Sequence, residues 1–203
     1  MPIAKENNLS SADRILRAAT ELFSSNAFNS VSVKDIAALS GANGALISYC
    51  YGGKKNLYQA VLNSEAMVFL NLIENVDSQP ISPLEKICLY VRNVADIQNQ
   101  NPNQVNLVYR ELLMPSGFCD NFVQSKLFKI HQFILEQVSK GVEGGTISPE
   151  LKPTHVAFTL ESLIVFFFLT QDFVRDLGAL TEEGKQKYLE KALESYLALI
   201  SKN

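Results

Sequence analysis

Residues 35–55, "DIAALSGANGALISYCYGGKK", place a turn of small residues between two short apolar patterns. Gly41 tolerates the positive φ that such a turn needs, and Ala37, four residues earlier, is small enough for two helices to cross closely. The stretch therefore predicts a helix-turn-helix. From Ile36 to Gly53 it contains no charged side chain, so if this helix-turn-helix binds a polyanion, that binding needs a physical explanation.

That explanation lies in the residues beside the turn. Phosphate contacts provide much of the affinity for DNA, whereas bases are recognised by hydrogen bonds and apolar contacts. Ser32 and Lys34 lie at the start of the second predicted helix, and Lys54 and Lys55 at the start of the fourth. Because helix N-termini attract anions, we expect these two termini to hold the DNA backbone on either side of a groove.

The rest of the chain also carries helical signals. Ser10, Ser32 and Ser82 are each followed three residues later by an acid, the pattern of a capping box. Apolar residues then recur every three or four positions, and no strand-like alternation is present. The predicted helices cover 11–25, Ser32 to Gly41, Asn43 to Gly52, 54–76, 83–100, "QVNLVYRELLM", 119–140, 153–176 and 181–201. The sequence thus predicts an all-α fold of about nine helices.

Composition indicates a globular protein with two regions of different charge. Of the 203 residues 47% are apolar, enough to form a core. The net charge is -3, but residues 1–60 hold six basic and four acidic side chains, whereas the remainder holds twelve basic and seventeen acidic ones. The excess of positive charge in the first region is consistent with a nucleic-acid partner.

Other classes of protein have little support in the sequence. The three cysteines are far apart and no secretory leader is evident, so we expect a cytoplasmic protein. The longest apolar run, 163–169, is seven residues, so no membrane span is expected. His131 and His155 have no partner at metal-ligand spacing, and Cys50 has no adjacent histidine or acid. We therefore expect no metal, no cofactor and no enzymatic activity.

Residues 15–62 resemble the N-terminal domain of the TetR (tetracycline repressor) family of one-component transcriptional regulators. The resemblance rests on the order of "ILRAATELF", "SVKDIA", the Gly-Ala-Asn turn, "ALISYCY" and "GGKKNLYQAV". It implies a helix-turn-helix DNA-binding domain over 10–56 and an effector-binding and dimerisation domain over 57–203. It also implies that residues 44–50 enter the major groove of double-stranded DNA. The predicted DNA-binding residues are Ser32, Lys34, Asn43, Gly44, Ala45, Leu46, Ser48, Tyr49 and Lys54.

The resemblance also implies a homodimer formed by the last two helices. The helix over 153–176 is apolar nearly all round between Val156 and Phe173, which suits burial by its own domain and by a second subunit. A helix fully buried in a monomer has the same pattern. The predicted interface residues are Phe158, Leu163, Phe167, Leu189, Leu193, Tyr196, Leu197 and Ile200.

A small-molecule effector site is predicted on the helices that follow residue 83. Its residues are Val91, Asn106, Tyr109, Arg110, Met114, Phe118, Phe122, Phe128 and Phe166. Such aromatic stripes are equally typical of a core. Arg110 is a cation in an apolar helix, so it needs a partner, which is either Glu111, another neighbouring acid or the anionic end of an effector.

Together these patterns predict a dimeric repressor that a small molecule releases from its operator. A two-fold dimer presents its recognition helices to major-groove faces ~34–36 Å apart, so the operator should be a near-palindrome. Ser48 stands where the family usually has an aromatic residue, and Gly44 removes a side chain from the first turn. The alternative is therefore a helical ligand-binding or interaction module whose helix-turn-helix no longer binds DNA.

Overall fold

The computed structural model describes residues 9–100, 102–119, 122–176 and 182–201. Within these ranges the chain forms nine α-helices, and its one β-pairing is an isolated bridge between Ile147 and Ser201. The helices are α1 (Ser11–Ser25), α2 (Val33–Ser40), α3 (Gly44–Tyr51), α4 (Lys54–Asp77), α5 (Pro83–Gln100), α6 (Pro102–Leu113), α7 (Phe128–Glu143), α8 (Pro153–Asp176) and α9 (Glu182–Ile200). The predicted all-α fold is confirmed.

Capping boxes start α1, α2 and α5, as the sequence predicts. In α2 the Ser32 hydroxyl accepts the Asp35 N–H at 3.2 Å, and the Asp35 carboxylate accepts the Ser32 N–H at 2.8 Å. Hydrogen bonding of the Asp35 carboxylate with the Ser32 side chain, and secondly with the Ser32 backbone N–H, holds the pKa of Asp35 below its usual range. Each box pairs donors that a helix N-terminus otherwise leaves without an intrahelical acceptor.

The predicted helix over 119–140 differs from the one observed. A short π-helical turn occupies Val123–Leu127, and α7 then continues to Glu143. Apolar spacing of three or four residues does not distinguish a wider π turn from an α-helix, so this irregularity could not be predicted from the sequence.

The chain is divided into two compact units, and the first unit is formed by two separate segments of the sequence. It combines Met1–Ala66 with Asn103–Phe122, so it contains α1, α2, α3, the first half of α4 and nearly all of α6. Its core side chains include Ile15, Phe23, Ile36, Ile47, Leu57, Leu62 and Leu107, all fully buried. The sequence analysis assigned α6 to the effector domain. In the structure, hydrogen bonds join α6 to α1, from Arg110 to the Phe23 carbonyl, and to α4, from the Tyr58 hydroxyl to Glu111.

The second unit combines Met67–Pro102 with Val123–Asn203. Helix α7 packs on α5 and α8, and α9 packs on α5 and α8. At the end of α4, Asp77 forms an ion pair with Lys86 at 2.9 Å and accepts a hydrogen bond from the Gln137 amide at 3.2 Å. His131 on α7 contacts Glu161 on α8 at 2.8 Å.

Candidate nucleic-acid interface

The turn between α2 and α3 is built on a single left-handed residue. Gly41 has φ 65° and ψ 19°, and the following Ala42 N–H donates to the Ala37 carbonyl at 3.2 Å. Asn43 then caps α3, because its side-chain oxygen accepts the Leu46 N–H at 2.8 Å. Because the side-chain oxygen makes the cap, the NH₂ group of Asn43 is not used in capping and can donate to another group.

Helix α3 is fixed on its inner side. Ile47 is fully buried, and the Tyr51 hydroxyl donates to the Ala12 carbonyl of α1 at 2.8 Å. Burial is the main cause that raises the pKa of Tyr51, so this hydroxyl remains a donor at neutral pH. Gly52, with φ 71°, ends the helix. An apolar anchor and a polar one therefore determine which face of α3 is turned outward.

That outward face is uncharged and exposed. Tyr49 is 87% exposed, and Ala45 and Ser48 are exposed beside it. All nine predicted DNA-binding residues lie in the first unit; Gly44, Leu46 and Lys54 are half-buried and the other six are exposed. A Cβ on Gly44 would lie 3.5 Å from Val33 Cγ1, an ordinary contact, so the fold does not require glycine there.

The positive charges flank this face. Lys34 is exposed in the first turn of α2, and Lys54 begins the 24-residue α4. Burial lowers the pKa of Lys54, and the Asp35 carboxylate partly opposes that shift. Lys55, which the sequence also placed at this helix start, has its ammonium 5.3 Å from the centre of the Phe118 ring.

The predicted effector residues are divided between the two units. Tyr109, Arg110, Met114, Phe118 and Phe122 belong to the first unit, and Val91, Phe128 and Phe166 to the second. Asn106 is part of helix α6, but the structure does not describe its side chain. Neither unit by itself brings all of these side chains together.

Within the first unit, several of these side chains already have protein partners. Arg110 donates to the backbone carbonyl of Phe23, which supplies the partner that this cation needs. Phe118 packs on Phe28 with ring centres 4.6 Å apart. Phe122 is buried, Met114 is 76% exposed, and Tyr109 is half-buried, with burial raising its pKa.

Within the second unit, the three predicted effector residues are also dispersed. Val91 is buried and lines a cleft of about 10 Å³ together with residues of α9. Pockets for drug-sized ligands usually reach about 300–1,000 Å³, so this cleft is small for an effector. Phe128 is 52% exposed and lies against His131, and Phe166 is 69% exposed.

The predicted dimer residues need a correction on α9. Leu189, Leu193, Leu197 and Ile200 are only 2%, 2%, 6% and 5% exposed within a single protomer, so they form its core and are not available to a second subunit. The reason is that α9 packs its apolar side on α5 and α8. On α8, by contrast, Phe158 is 68% exposed and Leu163 37%. Phe167 and Tyr196 are half-buried.

Helix α8 is also apolar enough to meet the length and composition of a membrane span. Its window Pro153–Thr170 has a mean hydropathy of 1.4, and 28% of that window is buried in the protomer. The sequence predicted no span because it contains no long uninterrupted apolar run. A soluble helix covered on both sides by protein has the same composition, so hydropathy alone does not decide what covers α8.

Comparison with known proteins agrees with this geometry. Residues 15–61 match the family model "Bacterial regulatory proteins, tetR family". The chain is 26% identical over 176 residues to the "Probable HTH-type transcriptional regulator YttP" of Bacillus subtilis (strain 168), which covers 83% of this chain and 82% of that protein.

Solved structures share the fold at low identity. The fatty acid degradation regulator FadR from Bacillus halodurans superposes with a TM-score of 0.77 at 14% identity, covering 95% of this chain and 97% of that one. The structure of AibR in complex with isovaleryl coenzyme A and operator DNA gives a TM-score of 0.74 at 18% identity, with 94% and 98% covered. The matched family consists of transcriptional regulators rather than enzymes.

Proposed function

We propose that this chain, a TetR-family transcriptional regulator, is a dimeric repressor that a small molecule releases from a near-palindromic operator. The observation that carries the proposal is the exposed, uncharged face of α3, held by Ile47 and Tyr51 and flanked by Lys34 and Lys54. Such a protein acts on double-stranded DNA in the cytoplasm.

In this proposal α3 lies in the major groove and the flanking groups contact phosphates. Tyr49 and Ser48 reach base edges or sugar, while Lys54 and the NH₂ of Asn43 donate to the backbone. Two copies related by a two-fold axis place their α3 helices on groove faces about 34–36 Å apart. Footprinting of the purified protein on genomic DNA would identify the operator and test its two-fold symmetry.

Replacing Lys54 with alanine tests the phosphate contacts. We expect Lys54→Ala to weaken binding to every duplex, because a phosphate contact carries no sequence information. The slope of log affinity against log salt should become shallower by about 1, the value for one lost phosphate contact. Fluorescence anisotropy over a salt series measures both quantities.

Lys191→Ala is the matched control, since Lys191 is an exposed lysine on α9 and its loss changes the net charge equally. It should leave the slope unchanged. An unaltered slope in Lys54→Ala would exclude the proposed contact. A wild-type protein with no affinity for any duplex would instead support a ligand-binding module without DNA binding.

An apolar stripe on α8 supports the dimer. Its members recur every three or four residues and are exposed in the protomer; they are Phe158, Ser162, Phe166, Leu169 and Phe173. The opposite side of the same helix is buried in the second unit through Val156, Leu160 and Ile164. A stripe of this kind suits a second copy of the same helix, with Ser162 allowing close approach.

For the effector, we propose a site in the second unit between α5 and α7. These helices pack together through a buried aromatic pair, Tyr90 and Phe133, with ring centres 5.4 Å apart. Gln137 on α7 is 1% exposed, and its Oε1 has no hydrogen-bond donor in the described part of the chain. Such an acceptor suits an effector that carries an N–H or O–H donor. Acyl-CoA thioesters have such donors and are a first class to test, given the isovaleryl coenzyme A bound to AibR.

Gln137→Leu tests that site with a side chain of similar size. In a screen of acyl-CoA thioesters for release of operator DNA, we expect the effective concentration to rise about tenfold or more, since a lost hydrogen bond costs on the order of 1.4 kcal/mol. Gln132→Leu is the control, because Gln132 is an exposed glutamine of the same helix, and it should leave the effective concentration unchanged. Equal responses in wild type and Gln137→Leu would exclude Gln137 from the effector site.

A further inference from the structure

The first two residues of α4 hold their charges over aromatic rings. The Lys54 ammonium lies 4.1 Å from the centre of the Phe28 ring, and the Lys55 ammonium 5.3 Å from that of Phe118. Both distances fall within the ~6 Å range in which the face of an aromatic ring attracts a cation. A lysine over a ring still has N–H groups directed away from the ring, available to a phosphate.

The two rings form one rigid platform. Phe28 and Phe118 have ring centres 4.6 Å apart, and both pack edge-on against Tyr58, at 5.1 and 5.8 Å. Tyr58 is 3% exposed and also packs against Phe23 at 4.9 Å. We call Phe28 and Phe118 the ring platform.

Phe118 does not belong to the helix-turn-helix segment. It lies in the loop after α6, residues 114–119, and its carbonyl accepts the Gln59 side-chain N–H at 2.6 Å. In the same loop, the Ser116 N–H and hydroxyl donate to Glu111 Oε1 at 2.9 and 2.8 Å. The loop is thereby attached both to α4 and to α6.

We propose that the ring platform positions Lys54 and Lys55 as an ordered pair of phosphate contacts, and that Lys55 is therefore a DNA-binding residue and Phe118 a positioning residue. This inference rests on the proposed DNA binding, and these residues would determine the affinity for DNA. A lysine side chain loses rotamer freedom when it binds a phosphate, and a ring that already holds the ammonium reduces that loss.

The experiment compares Phe118→Leu with Phe118→Tyr, which keeps the ring. In the DNA-free protein we expect the Lys55 ε-methylene protons to be shifted upfield by the Phe118 ring current, and Phe118→Leu to remove the shift. Phe118→Leu should weaken operator binding about 2- to 5-fold, from the energy of an exposed cation–π contact. The salt slope should stay unchanged, because the charge remains. Phe118→Tyr, by contrast, should keep both the upfield shift of Lys55 and the wild-type affinity for the operator.

Two further variants separate charge from position. Lys55→Ala should reduce the salt slope by about 1, as for any lost phosphate contact. Tyr188→Leu replaces a half-exposed aromatic residue of α9, outside the proposed DNA, effector and dimer residues, and should change neither the Lys55 shift nor the operator affinity. Thermal unfolding of each variant checks that it folds.

The outcomes distinguish a failure of the ring platform from a failure of the proposed DNA binding. If wild type binds its operator but Phe118→Leu binds equally well, the platform does not position the lysines. A Lys55 resonance without an upfield shift in wild type would overturn the proposed geometry in the same way. A wild-type protein that keeps the Lys55 shift but binds no duplex overturns the DNA-binding function itself, and the role of Lys55 with it.

Discussion

Phe166→Asp is expected to convert the proposed dimer into folded monomers. Phe166 is 69% exposed in the protomer, so the substitution leaves the protomer core intact. In the dimer it would bury an unpaired carboxylate in an apolar interface, at a cost on the order of 3 kcal/mol or more. Because a two-fold interface contains the position twice, the dissociation constant should rise by about 10⁴. Sedimentation velocity over a concentration series measures this change.

The matched control is Leu39→Asp, which places the same charge at an exposed leucine of α2, 47% exposed and distant in sequence from α8. It should remain a dimer. A wild-type monomer, or a Phe166→Asp variant that sediments as a clean dimer, would show that the stripe on α8 is not the interface. If wild type instead floats with phospholipid vesicles in a density gradient, the apolar window of α8 contacts a membrane rather than a second subunit.

Glu111→Ala is expected to have the largest effect on stability. Glu111 is 2% exposed, and its carboxylate accepts hydrogen bonds from the Tyr58 hydroxyl at 3.0 Å and from Ser116. Removing it leaves the buried Tyr58 hydroxyl and the half-buried Ser116 donors without this acceptor, so the free energy of unfolding should fall by about 2–4 kcal/mol. The chain has no tryptophan, so urea unfolding is best followed by circular dichroism.

Two variants make this result specific. Glu111→Gln should recover most of the loss, since its amide oxygen still accepts from Ser116 and its NH₂ can donate to the Tyr58 oxygen. Glu74→Ala removes an exposed glutamate of α4 and should change the free energy of unfolding by no more than about 0.5 kcal/mol. If Glu111→Ala were as mild as Glu74→Ala, the carboxylate would not stabilise the fold.

The helix-turn-helix could be predicted because its signals are local. The Ser32–Asp35 capping box, the left-handed Gly41 and the Asn43 cap each act within a few residues, so their consequences are visible in the sequence. The same holds for the exposed face of α3, whose inner side is marked by Ile47. The family resemblance covers this same segment.

The partners of α6 could not be predicted, because they come from distant parts of the chain. Arg110 needed a partner, and the sequence suggested an acid or an effector, whereas the structure provides a backbone carbonyl 87 residues away. Every residue has a carbonyl, so residue types give no indication of such a contact. On α9 the apolar periodicity identified a buried face correctly, but periodicity does not say whether a helix is covered by its own protomer or by a second one.

The discontinuity of the first unit has a consequence for synthesis. Its long-range hydrogen bonds join residues 53, 59 and 87 positions apart, through Tyr58–Glu111, Gln59–Phe118 and Phe23–Arg110. At roughly 5–20 residues per second on the ribosome, several seconds separate the emergence of the helix-turn-helix from that of α6. During this interval Tyr58 has no carboxylate and Phe28 no neighbouring Phe118. A nascent chain therefore completes its first unit only after the segment up to Phe122 has emerged, so the proposed DNA binding cannot begin as soon as the helix-turn-helix itself is made.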